Sequence, residues 1–273
     1  MTPRRLLGFA PAKINLALVV GPLLGSGKHE VVTVLQALDL RDDIEVAESA
    51  AVGVDGFADD TIVTRALERL REETGATLRA RLTKRVPVAA GLGGGSSDAA
   101  AALRLGNELL GRPVALAHLA SIAGELGADV PFFLGPPQQL GEDDGARLTP
   151  VSLPADYVVV LARPVGEAKE STGAVYAAFD ARGGADGFEG RRHALLDSLA
   201  GIRRSAQLAA LPPNDLAWSP LATDLRALGA FRADVSGAGP VVYGLFERYA
   251  DAERAVAAIA PAAETWLARP LTG

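Results

Sequence analysis

The stretch Val86 to Ala100, reading VPVAAGLGGGSSDAA, constrains this chain more than any other. Gly91, Gly93, Gly94 and Gly95 put four glycines within five positions. With no side chains in the way, backbone N–H groups of such a run can converge on an anion. Ser96, Ser97 and Asp98 follow, then an alanine-rich stretch that predicts a helix over Ser97–Leu110. Any of those three side chains is suited to cap its first turn. Open N–H groups and the positive end of the helix dipole then lie beside the glycines, where a phosphate docks. Glycine-rich turns also serve as plain connectors, but each glycine costs backbone entropy that a connector need not lose. The run points to phosphate binding.

At 273 residues the chain suits one large domain or two ordinary ones. Hydrophobic residues make up 49% and charged residues 22%, a composition that folds compactly. A formal charge of -6 and an aromatic content of 5% provide neither a basic track nor stacking platforms for nucleic acid. Cysteine is absent, which removes thiol nucleophiles and disulfides and fits a reducing, cytoplasmic location. The three histidines have no ligand spacing, so no protein-built metal site is expected. Charges, Gly and Pro break every apolar stretch well short of the roughly 18 residues of a membrane span. Lys13 and Asn15 likewise interrupt the apolar run after Arg4 and Arg5, so no signal peptide is expected.

Periodicity outlines an α+β chain without internal repeats. Leu7–Val20 reads as an extended segment interrupted by Pro11, Lys13 and Asn15; Val31–Leu40 and Ile44–Val46 read as strands joined by an acidic turn at Asp42 and Asp43. A helix over Thr61–Thr74, with Asp60 as its cap, precedes an alternating strand over Leu78–Lys84 that leads into the glycine run. A third helix is expected over Val114–Leu126, and Pro136–Gly145 reads as a connection. Beyond it come a strand at Tyr157–Ala162, a helix at Thr172–Phe179, a loop at Gly183–Gly190, and helices at Ala194–Leu199 and Leu221–Leu228. Strands at Phe231–Val235 and Val241–Phe246 and a helix at Asp251–Ile259 complete the pattern.

Two common nucleotide signatures fail. Gly25-Ser26-Gly27-Lys28 ends like a Walker A loop, but Pro22 stands where its first glycine belongs and His29 where a magnesium-binding hydroxyl belongs. Gly91 and Gly93 are followed by Ser96, which breaks the dinucleotide-binding pattern. Other polar groups stand out. Lys13 and Asn15 project from one face of an apolar strand, as either a wetted pocket or a solvated edge. Asp129, after a helix end, is either a cap or a pocket carboxylate able to take a proton from an attacking hydroxyl. Ser236-Gly237-Ala238-Gly239-Pro240 is either a plain hairpin or a second phosphate-facing turn, and His29 is either a substrate contact or a surface residue. Asp42/Asp43 and Asp143/Asp144 read as solvated turns.

Together Pro11–Leu16, Pro87–Ala100 and Ser236–Gly239 resemble the three motifs of the GHMP small-molecule kinases, named for galactokinase, homoserine kinase, mevalonate kinase and phosphomevalonate kinase. Agreement in type and order extends over Leu126–Phe133, Ser171–Tyr176 with Asp180, Asn214–Leu216 and Ser236–Phe246. It is strongest to members acting in non-mevalonate isoprenoid synthesis on a cytidine-diphosphate-linked methylerythritol. The resemblance implies a ribosomal-S5-like domain over 1–154 and a ferredoxin-like domain over 155–273. It implies ATP-dependent phosphorylation of that acceptor's 2-hydroxyl; alternatives are another small alcohol (mevalonate, a sugar or homoserine) or an inactive nucleotide-binding homologue. By the same likeness Pro87, Gly91, Leu92, Gly93, Gly94, Gly95, Ser96 and Ser97 hold ATP, with Mg2+ carried on the nucleotide. Asp129 and Lys13 become the catalytic pair, and Asn15, Lys28, His29, Asp129, Thr172, Gly237 and Gly239 the substrate contacts. The partner implied is a small phosphorylated alcohol, without nucleic acid or membrane, for a monomer or weak homodimer. Lys28 departs from the aromatic residue usual before this histidine, and Gln138–Ala146 lacks the family's Gly-Arg-Gly-Glu run.

Overall fold

The computed structural model describes residues 4–58, 60–166 and 171–273. Its contacts divide the chain into two compact units drawn from interleaved segments. One takes the chain up to Ala12, Leu40–Val88 and Gly93–Pro136; the other takes Lys13–Asp39, Ala89–Leu92 and Pro137–Gly273.

Two long strands, β1 (Arg5–Leu23) and β2 (His29–Glu48), pair with each other and contribute residues to both units. Neither is broken where the sequence suggested. Lys13 and Asn15 do not interrupt β1 because both are buried and hydrogen-bonded within the strand pair. The acidic turn expected at Asp42 is absent, since that carboxylate is buried and receives a lysine and two backbone N–H groups.

In the first unit, β3 (Gly53–Asp55) runs parallel to β4 (Leu78–Thr83), and β4 pairs antiparallel with Asp43–Glu48 of β2. Helix α1 (Ile62–Thr74) buries Val63, Ala66, Leu67 and Leu70, a stripe at helical spacing. Asp60 accepts from the N–H groups of Val63 and Thr64 at its start, and Gly75 at φ 71° ends it by donating to the Arg71 carbonyl. Leu78, Ala80 and Leu82 present the core face of β4 to this stripe and to α2 (Gly94–Leu109) and α3 (Leu116–Leu126). Each large aliphatic side chain so buried contributes about 1.5–3 kcal/mol. Alanines 99 to 102 lie within this core.

The second unit includes a hairpin, β5 (Gln138–Glu142) and β6 (Arg147–Pro150), where the sequence suggested only a connection. The polar side chains of β5 are buried, and Gln138 donates to Gln36 Oε1 and the Leu153 carbonyl and accepts from the Leu153 N–H. Residues Thr33–Gln36 of β2 pair with β5. A four-stranded antiparallel sheet follows, built from β7 (Val158–Pro164), β8 (Arg232–Val235), β9 (Val242–Phe246) and β10 (Ala263–Ala268) in the order β10-β7-β9-β8. Between β7 and β8 lie α4 (Thr172–Ala181), α5 (Phe188–Gly201) and α6 (Pro220–Ala227); α7 (Tyr249–Ile259) joins β9 to β10. This is the β-α-β-β-α-β order of the expected ferredoxin-like half. Helix α5 starts earlier and runs longer than the sequence suggested, and β10 was not foreseen. Residues 269–271 clasp β2: Arg269 and Asp39 exchange hydrogen bonds, Leu271 N–H donates to Ala37, and Gln36 Nε2 donates to Leu271.

Candidate active site

Helix α2 begins at Gly94, three residues before the expected start. Gly93 stands at its head at φ 70°, a left-handed conformation open to glycine, and no side chain caps the helix. Ser97 and Asp98, expected as caps, are instead inside the helix and buried. The first bond inside the turn is Ser97 N–H to Gly93 O at 2.8 Å, so the earlier N–H groups of Gly94, Gly95 and Ser96 are not consumed by the helix. Ser97 Oγ is buried without a hydrogen-bond partner. Pro87 is half-buried ahead of the run, which Val86 anchors through its N–H bond to Asp42.

A charged cluster in the first unit supports this helix start. Lys84 Nζ lies 2.5 Å from both Asp42 Oδ2 and Asp98 Oδ2, and Asp42 Oδ1 accepts from the N–H groups of Arg85 and Val86. A Cβ on Gly94 would lie 3.6 Å from Lys84 Nζ, which puts the ammonium close to the first residue of α2. Burial pushes the Asp98 carboxyl up to about 7, against the pull of Lys84 and with the Asp42 charge adding to the rise. Asp98 Oδ1 has no hydrogen-bond partner.

Residues 89–92 belong to the second unit, where Gly91 meets the turn after β8. Gly91 is at φ 80°, and a Cβ there would lie 2.3 Å from the Ser236 carbonyl and 3.1 Å from the Gly239 carbonyl. Ser236 Oγ donates to Gly91 O at 3.0 Å, Val241 N–H to Ala90 O at 3.3 Å and Lys13 N–H to Leu92 O at 2.9 Å. Beside this backbone, Lys13 Nζ donates to Asn15 Oδ1 at 2.7 Å and Asn15 Nδ2 to Thr33 Oγ1 at 2.8 Å. A Cβ on Gly237 would lie 3.4 Å from Asn15 Oδ1 and 3.6 Å from Lys13 Nζ. Asn214 holds that turn by donating to the carbonyls of Val235 and Gly237. Thus Lys13, Asn15, Gly91, Leu92, Gly237 and Gly239, spread widely in sequence, share one neighbourhood.

Elsewhere in the second unit, His29 is buried, its ring stacked on Tyr176 at 4.8 Å and edge-on to Phe179 at 5.9 Å. His29 Nε2 lies 2.8 Å from Asp180 Oδ1. Lys28 is exposed and pairs with Asp144 at 2.8 Å, which holds the Asp144 carboxyl below its usual range. Thr172 is the exposed first residue of α4, with Ser171 capping the helix. In the first unit, Asp129 stands half-buried in the turn between α3 and a short 3-10 helix, Pro131–Leu134, whose start no side chain caps. Sequence reasoning missed Thr33, Lys84, Asp42 and Asp98 in these clusters. Their placement depends on strand register, which local pattern does not contain. Among the described residues, no group of three or more His, Asp or Glu side chains is built to hold a metal ion.

In the first unit, the unconsumed N–H groups at the start of α2 are backbone donors of the kind that hold phosphate oxygens. The GHMP kinase N-terminal family model matches residues 61–135 and the GHMP kinase C-terminal model residues 193–263. A 4-diphosphocytidyl-2-C-methyl-D-erythritol kinase from Anaeromyxobacter sp. (strain Fw109-5) is 40% identical, the match covering 94% of this chain and 87% of that protein. The enzyme of the same name from Methylobacterium radiotolerans is 37% identical over 96% of each. A crystal structure of 4-(cytidine 5'-diphospho)-2C-methyl-D-erythritol kinase superposes with a TM-score of 0.79 at 30% identity, covering 98% of this chain and 100% of that one. With both family models and relatives spanning nearly its whole length, the chain belongs to the GHMP kinase family.

Proposed function

We propose that the chain transfers the γ-phosphoryl group of ATP to the 2-hydroxyl of 4-diphosphocytidyl-2-C-methyl-D-erythritol. The observation that carries this reading is the buried Lys13–Asn15 pair beside the bare backbone of Gly91, Leu92 and Gly237. Relatives at 37–40% identity that bear this substrate in their names supply the acceptor.

The residues present fit ATP. Gly93 to Ser96 offer open N–H groups at the head of α2, and the buried Ser97 hydroxyl lacks a partner. Pro87, Gly91 and Leu92 complete the set of residues assigned to the nucleotide. They do not form a metal cage, so Mg2+ fits as an ion carried by the phosphates, where it would offset phosphoryl charge. Asp129 takes the proton of the acceptor hydroxyl, and Lys13 offsets negative charge as the phosphoryl group moves. Asn15 and Gly237 hold the alcohol end, with Gly239 shaping the turn. His29, stacked on Tyr176, offers a polar edge and a flat face to a pyrimidine, with Thr172 and Lys28 assigned as further substrate contacts.

Lys28 also motivates a second reading. It replaces an aromatic surface and is already engaged by Asp144, an arrangement compatible with a different small alcohol. ATP consumption measured against the cytidylylated methylerythritol, mevalonate, homoserine and galactose separates the two. Turnover with the first alone is expected; efficient use of one of the others in its place overturns the assignment.

A further inference from the structure

The geometry points to Thr33 as a positioning residue for the Lys13 ammonium, acting through the Asn15 carboxamide; the inference rests on the kinase reading above. Thr33 lies on β2 and is buried, as are Asn15 and Lys13. Its hydroxyl donates to the Ala17 carbonyl at 2.8 Å and accepts from Asn15 Nδ2 at 2.8 Å. Asn15 Oδ1 then accepts from Lys13 Nζ at 2.7 Å.

The direction of these bonds is the argument. A hydroxyl has one proton, and that of Thr33 is committed to Ala17, so Thr33 can meet Asn15 only as an acceptor. The carboxamide end facing Thr33 must therefore be the amino group, and the end facing Lys13 must be the oxygen. A carboxamide is nearly symmetric in shape but not in charge. Turned the other way, it would set its amino group against the ammonium, donor against donor. Thr33 thus decides which face Asn15 shows to Lys13. Every bond in the series donates in one direction, from the ammonium toward the Ala17 carbonyl, and each polarises the next.

The hydroxyl is itself held in place. Thr33 pairs with Gly141 of β5, and a Cβ at that position would lie 3.1 Å from the Thr33 methyl. Glycine there leaves room for the methyl, while β-branching restricts the rotamer that aims the hydroxyl at Ala17. Burial of all three side chains keeps competing water away from the relay.

The test compares full-length wild type, Thr33→Val and Thr33→Ser, with solvent exchange of the Asn15 side-chain amide protons followed by NMR beside steady-state kinetics. Slow exchange is expected in wild type and at least roughly tenfold faster exchange in Thr33→Val. In the same variant kcat should fall about ten- to a hundredfold while KM for ATP stays within about twofold, as for a misaimed catalytic group. Thr33→Ser should restore both. A Thr33→Val enzyme that keeps wild-type kcat, or a Thr33→Ser enzyme no better than Thr33→Val, overturns the inference. So does wild-type exchange at the rate of a free carboxamide, a measurement that needs no variant to fold. Absence of phosphoryl transfer by the wild type counts against the kinase reading alone, and the exchange rates then still decide the role of Thr33.

Discussion

Asp129, half-buried in the turn after α3, is the residue whose replacement should separate chemistry from nucleotide capture. With general-base catalysis contributing about 10²–10⁴-fold, Asp129→Asn should lower kcat by that order. KM for ATP should change little, as steady-state kinetics at varied ATP would show. Gly91→Ala tests the loop differently. The new methyl meets the Ser236 carbonyl at 2.3 Å from a left-handed backbone, so the loop must move. Left-handed strain alone costs roughly 1–2 kcal/mol. A lower melting temperature and a weaker ATP analogue affinity by calorimetry are expected together. At this scale the sequence was legible where a residue's chemistry is local. Glycine density pointed to the loop, and alternation put Lys13 and Asn15 on one face. Thr33 and Lys84 were not legible, because an isolated threonine in a strand or lysine just after one carries no mark of what lies across the sheet.

Among elements, α2 is tied to β2 and to the residue after β4 through Asp98, Asp42 and Lys84. The Asp98 carboxyl, raised to about 7 by burial, holds a proton in the folded chain that the unfolded chain has already released. Between about pH 4 and pH 7 the folded state therefore binds more protons, and this group's contribution to stability declines as pH rises through that window. Asp98→Asn, which fixes the neutral form, should fare better relative to wild type at about pH 8 than at about pH 5 when urea midpoints are compared. The same cluster explains an error of reading. Asp42 and Asp43 look like a turn because acids are costly inside a sheet, yet β2 runs straight through them once Lys84, just after β4, and two N–H groups answer Asp42. The β5–β6 hairpin was missed for a related reason: its glutamines look solvent-facing until Gln36 and Leu153 are there to satisfy Gln138. By contrast α1 and β4 were plain, since each carries its own apolar period.

For the whole molecule, β1 and β2 each contribute residues to both units, and β2 also takes hydrogen bonds from residues near the other end of the sequence. Residues 269–271 contribute several hydrogen bonds to β2, and Gln36, fully buried, spends one of its donors on Leu271. At about 1 kcal/mol for each net bond, deleting 269–273 should remove roughly 3–4 kcal/mol. For a chain of this size that corresponds to a melting temperature lower by about 6–16 °C in calorimetry. Nothing in the local sequence around Gln36 announces this dependence; it exists only once both ends of the chain are folded.

That clasp also has a temporal side. A ribosome adds Gln36 long before it adds Leu271, so during synthesis the glutamine's amide waits while most of the polypeptide emerges. The early strands gain these partners only after the later residues have emerged, and a chain lacking Arg269–Leu271 would leave a frayed seam for proteases to find.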